Sequence, residues 1–134
     1  MTSYIFNADQ EITLPAESTA AKAYGYLTAT ENNELDKAQA LLGDTFLMTF
    51  PGGLEFTTLD GFVTWAVGCF NAVNKSYERF DEIDLPDQSV VYCMGTLRGE
   101  FSDGTAFSGV RFIDRFTVVD GKITDQRVWN DLGA

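Results

Sequence analysis

The sequence predicts an α+β fold in which helices cover one side of a curved antiparallel sheet, and three observations predict it. The last third of the chain contains three strand-like runs, residues 89–101, 105–119 and 122–131. The turn sequences Ser102-Asp103-Gly104 and Asp120-Gly121 separate these runs, and Asp-Gly between β-rich runs is a strong hairpin signal. One face of the runs is apolar, so helices from the first half of the chain must cover it.

The turns also predict a register for the sheet. If Val119 opposes Lys122, then Asp114 faces Arg127 across the strands, and the predicted inner face is apolar apart from these two charges. The other members of that face are Val110, Phe112, Phe116, Val118, Ile123 and Trp129. The opposite face is mixed and can be wetted. Gly95 and Gly99 lie inside a strand and predict bulges or bends there.

The first half of the chain predicts the helices. Residues 1–15 have mixed polarity and are expected to form an arm, followed by a single domain over residues 16–134. Apolar residues recur at helical spacing from residue 16 to the Asn32-Asn33 break, over residues 34–42, and from residue 59 to about residue 73. Thr58 is the expected N-cap of the third helix. Two further strands are expected at residues 46–50 and 76–85.

Charge and composition exclude several classes of protein. Twenty acidic and nine basic residues give a net charge of −11, which argues against binding to nucleic acid or to anionic membranes. The chain has no histidine, which removes imidazole as a base or ligand and with it any Ser-His or Cys-His dyad. Cys69 and Cys93 lie in apolar runs and are expected to be free thiols. The first residues lack a signal-peptide pattern and no run reaches membrane-spanning length, so a cytoplasmic location is expected.

The order of the elements, together with VYCMGTLRGEFSDG, GVRFIDRFTVVDGKI and the final RVWND, resembles the SnoaL-like branch of the nuclear transport factor 2-like superfamily over about residues 16–131. The resemblance implies a cone, in which a bent sheet wraps round helices and encloses a ligand pocket. Members often dimerise through the outer sheet face, so a homodimer is expected. The superfamily includes ketosteroid isomerases, polyketide cyclases, dehydratases, oxygenase subunits and non-catalytic modules, so the fold does not decide the function.

The resemblance also suggests site residues. Aligned with the ketosteroid isomerase pattern, Tyr26 takes the place of the oxyanion-hole tyrosine, and Asp114 falls near the second oxyanion-hole acid. Phe50 takes the place of the proton-shuttling aspartate, and a phenyl ring cannot move a proton. Helical periodicity places Tyr26 well away from the centre of the apolar stripe, which argues against this role. In the polyketide cyclase branch a sheet carboxylate does the acid–base work, which keeps Asp114 a candidate.

Asp114 has two interpretations. Within an apolar face its pKa would rise, which suits proton transfer near neutrality. An ion pair with Arg127 would instead lower the pKa of Asp114 and make the carboxylate structural. Arg127 could also bind a ligand carboxylate or enolate in a forked geometry.

Apolar and aromatic side chains are expected to form the walls of the pocket: Met48, Phe50, Phe56, Trp65, Tyr92, Phe112 and Trp129. Such stripes are also typical of plain core, and Tyr92 faces Asp114 only if the first hairpin has a three-residue turn. No metal-binding or phosphate-loop spacing appears, so neither a metal nor a cofactor is expected. The sequence thus predicts a protein that binds a small hydrophobic molecule. It is either a cofactor-free isomerase, cyclase or dehydratase using Asp114, Tyr26 and Arg127, or a non-catalytic ligand-binding or dimerisation module.

Overall fold

The computed structural model describes residues 1–7 and 10–133. Within these residues, three α-helices, one short 3-10 helix at Pro51–Gly53 and one seven-stranded sheet form the fold. The elements in chain order are β1 (Thr2–Ile5), α1 (Thr19–Glu31), α2 (Leu35–Ala40), β2 (Leu42–Phe50), β3 (Leu54–Phe56), α3 (Leu59–Cys69), β4 (Phe70–Asp84), β5 (Ser89–Phe101), β6 (Ala106–Val119) and β7 (Lys122–Asn130). The strand order is β1-β4-β5-β6-β7-β2-β3, and every pair is antiparallel except β2–β7. The predicted α+β class with a curved, mainly antiparallel sheet is confirmed.

Side-chain caps decide where two of the helices begin. Thr58 accepts a hydrogen bond from the backbone N–H of Gly61, which confirms the predicted N-cap of α3. Ser18 does the same for α1 through the N–H of Ala21, so α1 begins later than predicted. The buried carboxylate of Glu82 on β4 accepts a further hydrogen bond from the N–H of Ala20, at 2.7 Å. This contact ties the start of α1 to the sheet.

The three predicted hairpin strands are present, and β4 is longer than predicted. At the last turn Asp120 and Gly121 both have positive φ, 51° and 75°, as a type I′ turn requires. Strand β4 begins at Phe70, directly after α3, so the predicted third helix ends four residues early. Long pairing with β5 outweighs the helical spacing of residues 70–73, which alone predicted a helix there. Strand β1, which pairs with β4, lies in the predicted N-terminal arm.

Two glycines let the sheet bend. A Cβ atom at Gly95 would lie 1.9 Å from the carbonyl oxygen of Ser76, and one at Gly99 would lie 2.1 Å from that of Ala72. The pairing of β4 with β5 shifts between Tyr77 and Arg79, beside Gly95. These glycines therefore allow close approach of two backbones at irregular pairing, as predicted from their place inside a strand.

A one-residue bulge between β6 and β7 overturns the predicted register. Val118 opposes Ile123 as predicted, but Thr117 opposes Asp125, which leaves Thr124 without a partner. Beyond that point every β7 residue changes face, because side chains alternate along a strand. Asp114 therefore opposes Val128, and Arg127 opposes Arg115. The predicted pairing of Asp114 with Arg127 is wrong.

A second irregularity lies between β5 and β6. Leu97 pairs with Val110 and Gly99 with Phe107, so one residue of β5 faces two of β6. As a result Tyr92 opposes Arg115 instead of Asp114.

Two sequence-based expectations about cysteines and membranes can be compared with the described residues. Cys93 is fully buried, Cys69 is half-buried, and both are free. None of the helices in the described ranges is long and apolar enough to cross a membrane.

Candidate functional site

A cavity of about 460 Å³ lies between the inner sheet face and helices α1 and α3. Its buried end is formed by side chains that are at most 4% exposed: Tyr26, Leu27, Met48, Leu97, Phe112, Asp114 and Gln126. The lining continues to Leu54 and Val67, which are 40% and 71% exposed, so the cavity opens to solvent on that side. Its volume lies within the range of small-molecule sites.

Aromatic side chains form the wall between the buried end and the opening. The rings of Phe50 and Phe62 stack at 5.4 Å, and the ring of Trp65 lies 5.1 Å from that of Phe50. Phe56 packs behind this wall, against Phe50 and Trp65 at 5.9 and 5.5 Å, and does not line the cavity. The prediction that Phe56 lines the pocket is therefore wrong, because its ring packs against the aromatic side chains of the wall.

Asp114 is the carboxylate at the buried end. It is 2% exposed, and burial raises the pKa of its carboxyl group from 3.8 to about 6, while the charge of Lys75 and the side chain of Gln126 oppose this rise. One carboxylate oxygen has no hydrogen-bond partner in the described part of the chain. A carboxyl group with this pKa is mostly ionised at neutral pH and still takes up a proton readily, as a general base requires.

Two neutral polar groups share the buried end with Asp114. The hydroxyl of Tyr26 and the side-chain oxygen of Gln126 are buried and, within residues 1–7 and 10–133, accept or donate no hydrogen bond. Burial and the charge of Asp114 both raise the pKa of Tyr26, so its hydroxyl stays protonated as a donor. Unpaired buried polar groups are costly, and a ligand with polar atoms would satisfy them.

Tyr26 faces the cavity although the spacing of apolar residues placed it away from the stripe. Helix α1 contacts both the sheet and α2, so its buried face is wider than one stripe. That face comprises Ala20, Ala23, Tyr26, Leu27 and Ala29. The prediction that Tyr26 lies off the buried face is wrong for this reason.

Three other predicted site residues lie on the outer sheet face. Arg127 is exposed and pairs with Asp125 on its own strand, with Nε and Oδ2 3.3 Å apart. Trp129 is 50% exposed and opposes Ile113. Tyr92 accepts a hydrogen bond from Nε of Arg115 at 3.2 Å. The two register irregularities turn these side chains away from the cavity, so their assignment to the site is wrong.

Lys75 and Gln126 line the cavity and were missed by the sequence analysis. Gln126 takes the inward position that the predicted register gave to Arg127, because of the bulge at Thr124. The predicted third helix ended just before Lys75, at about residue 73, whereas the alternation of Val73, Lys75 and Tyr77 along β4 would have indicated an inward position. Among the described residues no group of three or more His, Cys, Asp or Glu side chains is arranged to hold a metal ion.

Comparisons with known proteins agree on one fold. A family model described as SnoaL-like domain matches residues 23–126. A search of curated proteins by sequence finds no match. Among solved structures, an NTF2-like protein of unknown function from Burkholderia pseudomallei is 16% identical with a TM-score of 0.69, covering 84% of this chain and 89% of its own.

Two other similar structures have more informative descriptions. A putative ketosteroid isomerase from Shewanella frigidimarina is 12% identical with a TM-score of 0.68, covering 85% of this chain and 97% of its own. TerC, co-crystallised with polyporic acid, is 14% identical with a TM-score of 0.65, covering 84% of this chain and 90% of its own. At these identities the likeness concerns the fold, which is the NTF2-like cone.

Proposed function

The chain belongs to the SnoaL-like domain family, and from this premise we propose that its cavity binds a small hydrophobic carbonyl compound and moves a proton next to the carbonyl group without a cofactor. Asp114 takes the proton from the carbon beside the carbonyl and returns it at a second position or to a second group. The hydroxyl of Tyr26 donates a hydrogen bond to the oxygen that becomes negative in the transition state. Isomerisation, aldol-type cyclisation and dehydration all share this step.

The observation that carries the proposal is a buried carboxylate with a raised pKa at the closed end of an apolar cavity. A base works best when its pKa is near the working pH, and the pKa of Asp114 is about 6. In the described residues no arginine or lysine lies within ion-pair distance of Asp114. The alternative interpretation, in which Asp114 belongs to a structural ion pair, therefore has no partner residue.

The shape and lining of the site support an apolar ligand with one polar end. Phe50, Phe62 and Trp65 offer ring faces along the wall, and the polar atoms are gathered at the buried end. A ring compound with a carbonyl group fits this distribution. The similar structure that was crystallised with polyporic acid, and the one described as a putative ketosteroid isomerase, support the same class of ligand.

Hydrogen–deuterium exchange of a simple ketone tests the proposal without knowledge of the natural substrate. The protein is incubated with 2-tetralone in D₂O, and loss of the α-proton signals is followed by NMR against a protein-free sample. We expect exchange above background, with a rate that rises with pH to a plateau above a midpoint near 6. Asp114→Asn should lower the catalysed rate at least about 100-fold.

Two further variants make this experiment specific. Tyr26→Phe should lower the catalysed rate at least about 10-fold, since it removes one hydrogen bond to the developing oxyanion. Asp87→Asn, which changes an exposed carboxylate that does not line the cavity, should leave the rate unchanged. An exchange rate that is the same in the wild-type protein and in Asp114→Asn would reject catalysis by Asp114.

A non-catalytic ligand-binding module is the second candidate, and one observation favours it. Phe50 lines the cavity at the place where the ketosteroid isomerase pattern has its proton-shuttling aspartate. Binding of N-phenyl-1-naphthylamine, a neutral fluorescent ring compound, without any catalysed exchange of 2-tetralone would support this candidate. Absence of both would reject ligand binding in the cavity altogether.

A homodimer through the outer sheet face is a further part of the proposal. Ile113 and Trp129 oppose each other on that face and are 39% and 50% exposed. Large apolar side chains side by side on a sheet are typical of an interface between subunits. Sedimentation equilibrium should show a dimer, and Trp129→Glu should shift it to monomer without changing the affinity for N-phenyl-1-naphthylamine.

A further inference from the structure

We propose that Lys75 selects ligands that carry an anionic group beside their apolar rings, so that the natural ligand is a hydrophobic organic acid. This inference rests on the proposed function in one respect, that the cavity binds a small molecule. It assigns the ligand a negative charge, a property that the apolar walls and the polar buried end of the cavity do not specify.

Lys75 holds an inward position on a strand whose inward neighbours are apolar or aromatic. Along β4 the inward residues Val73 and Tyr77 flank it, and it opposes the buried Leu97 of β5. Its Nζ atom lies 5.5 Å from the centre of the Phe112 ring, which also lines the cavity. A lysine that served solubility would occupy an outward position of the strand, as exposed Ser76 does.

The ammonium group has no protein counter-ion in the described ranges. Glu31, which also lines the cavity, accepts a hydrogen bond from the backbone N–H of Lys75 at 3.4 Å and forms no ion pair with its ammonium group. No carboxylate of residues 1–7 or 10–133 lies within 4.0 Å of Nζ. A half-buried charge is stabilised by an opposite charge, and a ligand anion would supply it.

Asp114 does not remove the need for such an anion. The positive charge of Lys75 is felt at Asp114, but the two groups are not in ion-pair contact. One ligand can therefore address both, with its anionic group at Lys75 and its carbonyl group at Tyr26 and Asp114.

The negative net charge of the protein bears on the role of the basic side chain in the cavity. The chain has a net charge of −11, which repels anions from most of its surface. Among the described residues that line the cavity, Lys75 is the single basic side chain. Lys75 is therefore the basic side chain that an anionic group entering the cavity would meet.

A matched pair of fluorescent probes tests the inference. 8-Anilinonaphthalene-1-sulfonate carries a sulfonate, and N-phenyl-1-naphthylamine has the same rings without it. Dissociation constants for both are measured for the wild-type protein, Lys75→Gln, Lys75→Arg and the control Lys37→Gln. Lys37 is exposed on α2 and pairs with Glu34, so the control removes one positive charge away from the cavity.

Lys75→Gln should weaken binding of the sulfonate probe about 10-fold or more, the size of one hydrogen-bonded charge contact. Its affinity for the neutral probe should stay within about twofold of wild type, because the rings keep their contacts. Lys75→Arg should retain most of the affinity for the sulfonate probe, and Lys37→Gln should change neither. Circular dichroism confirms that the variants are folded.

The outcomes separate this inference from the proposed function. If the neutral probe binds and Lys75→Gln weakens both probes equally or neither, anion selection by Lys75 is wrong while ligand binding stands. A sulfonate probe bound elsewhere on the protein would also fail to respond to Lys75→Gln and would overturn the inference. If neither probe binds to the wild-type protein, the inference and the proposed function both fail.

Discussion

Replacing Asp114 by asparagine should make the protein more stable at neutral pH. Asparagine has the shape of the protonated carboxyl group and carries no charge. In the folded protein burial raises the pKa of Asp114 from 3.8 to about 6, so the folded state binds more protons than the unfolded state between these two values. Stability from the protonated form of Asp114 is therefore present at low pH and is lost as the pH rises through this window.

The size of the effect follows from the two pKa values. Each tenfold change in proton affinity is worth about 1.4 kcal/mol, so ionised Asp114 costs the folded state about 3 kcal/mol at pH 7.5. At pH 5 the folded state is already mostly protonated, and the cost falls to about 1.6 kcal/mol. Asp114 is 2% exposed, so solvent screening does not reduce these values much.

Urea denaturation of the wild-type protein and Asp114→Asn, at intervals from pH 5 to pH 8, measures this difference. The range stops at pH 5 because the pI of the sequence is about 4.1, and proteins near their pI associate. The stability advantage of the variant should rise by about 1.4 kcal/mol from pH 5 to pH 7.5. Asp87→Asn provides the control for the loss of one negative charge, because Asp87 is exposed and does not line the cavity.

A variant that is less stable than the wild-type protein at pH 7.5, or a difference that does not change with pH, would refute this reasoning. Either result would mean that burial does not make the charged form of Asp114 less favourable in the folded protein than in the unfolded chain. Retained stability also matters for the exchange experiment, because loss of activity in a more stable variant cannot be attributed to unfolding.

Two other substitutions test the account of the fold. Gly95→Ala should lower the free energy of unfolding by at least about 2 kcal/mol, because the added Cβ atom would overlap the carbonyl oxygen of Ser76. Gly68→Ala is the control and should cost nothing, since a Cβ atom there, on helix α3, has nothing within 4 Å. Equal effects of the two substitutions in urea denaturation would argue against the close approach at Gly95. Arg127→Ala should lower the free energy of unfolding by less than about 1 kcal/mol, since the ion pair of Arg127 with Asp125 is exposed. The affinity for N-phenyl-1-naphthylamine, measured by fluorescence titration, should not change. A tenfold loss of that affinity would mean that Arg127 belongs to the binding site.

Local chemistry was enough to predict the strands and turns at the end of the chain. Positive φ at Asp120 and Gly121 is the conformation that Asp-Gly favours, and β5 has the predicted bounds. The inward placement of Phe112, Asp114 and Phe116 also follows from alternation along a single strand, which needs no knowledge of its partners.

Which side chains reach the cavity depends on how neighbouring strands pair, and there a single extra residue in a strand changed which side chains face inward. The bulge at Thr124 exchanges Arg127 for Gln126 at the cavity, and the irregularity before Val110 turns Tyr92 outward. Turn sequences fix a register only as far as the first bulge, and neither Thr124 nor its neighbours carry a signal for one. The glycines at 95 and 99 did carry such a signal, because they lack the side chain that would collide.

Lys75 was not predicted as a cavity residue for a different reason. Residues 70–73 have both helical and strand-like spacing, and the choice of a helix hid the alternation that places Lys75 inward. The pairing of Phe70 with Phe101 settles the choice, and this contact joins residues far apart in sequence. A long-range pairing of this kind is not visible in a local pattern.

The most direct test of the central claim is an NMR titration of protein labelled with ¹³C at the aspartate carboxyl carbons. We expect one carboxyl carbon with a midpoint near pH 6 that is missing in Asp114→Asn and whose midpoint moves when N-phenyl-1-naphthylamine fills the cavity. Titration of every aspartate with a midpoint below about pH 5 would contradict a raised pKa at Asp114. An Asp114 midpoint that stays the same when the compound is added would contradict ligand binding next to Asp114.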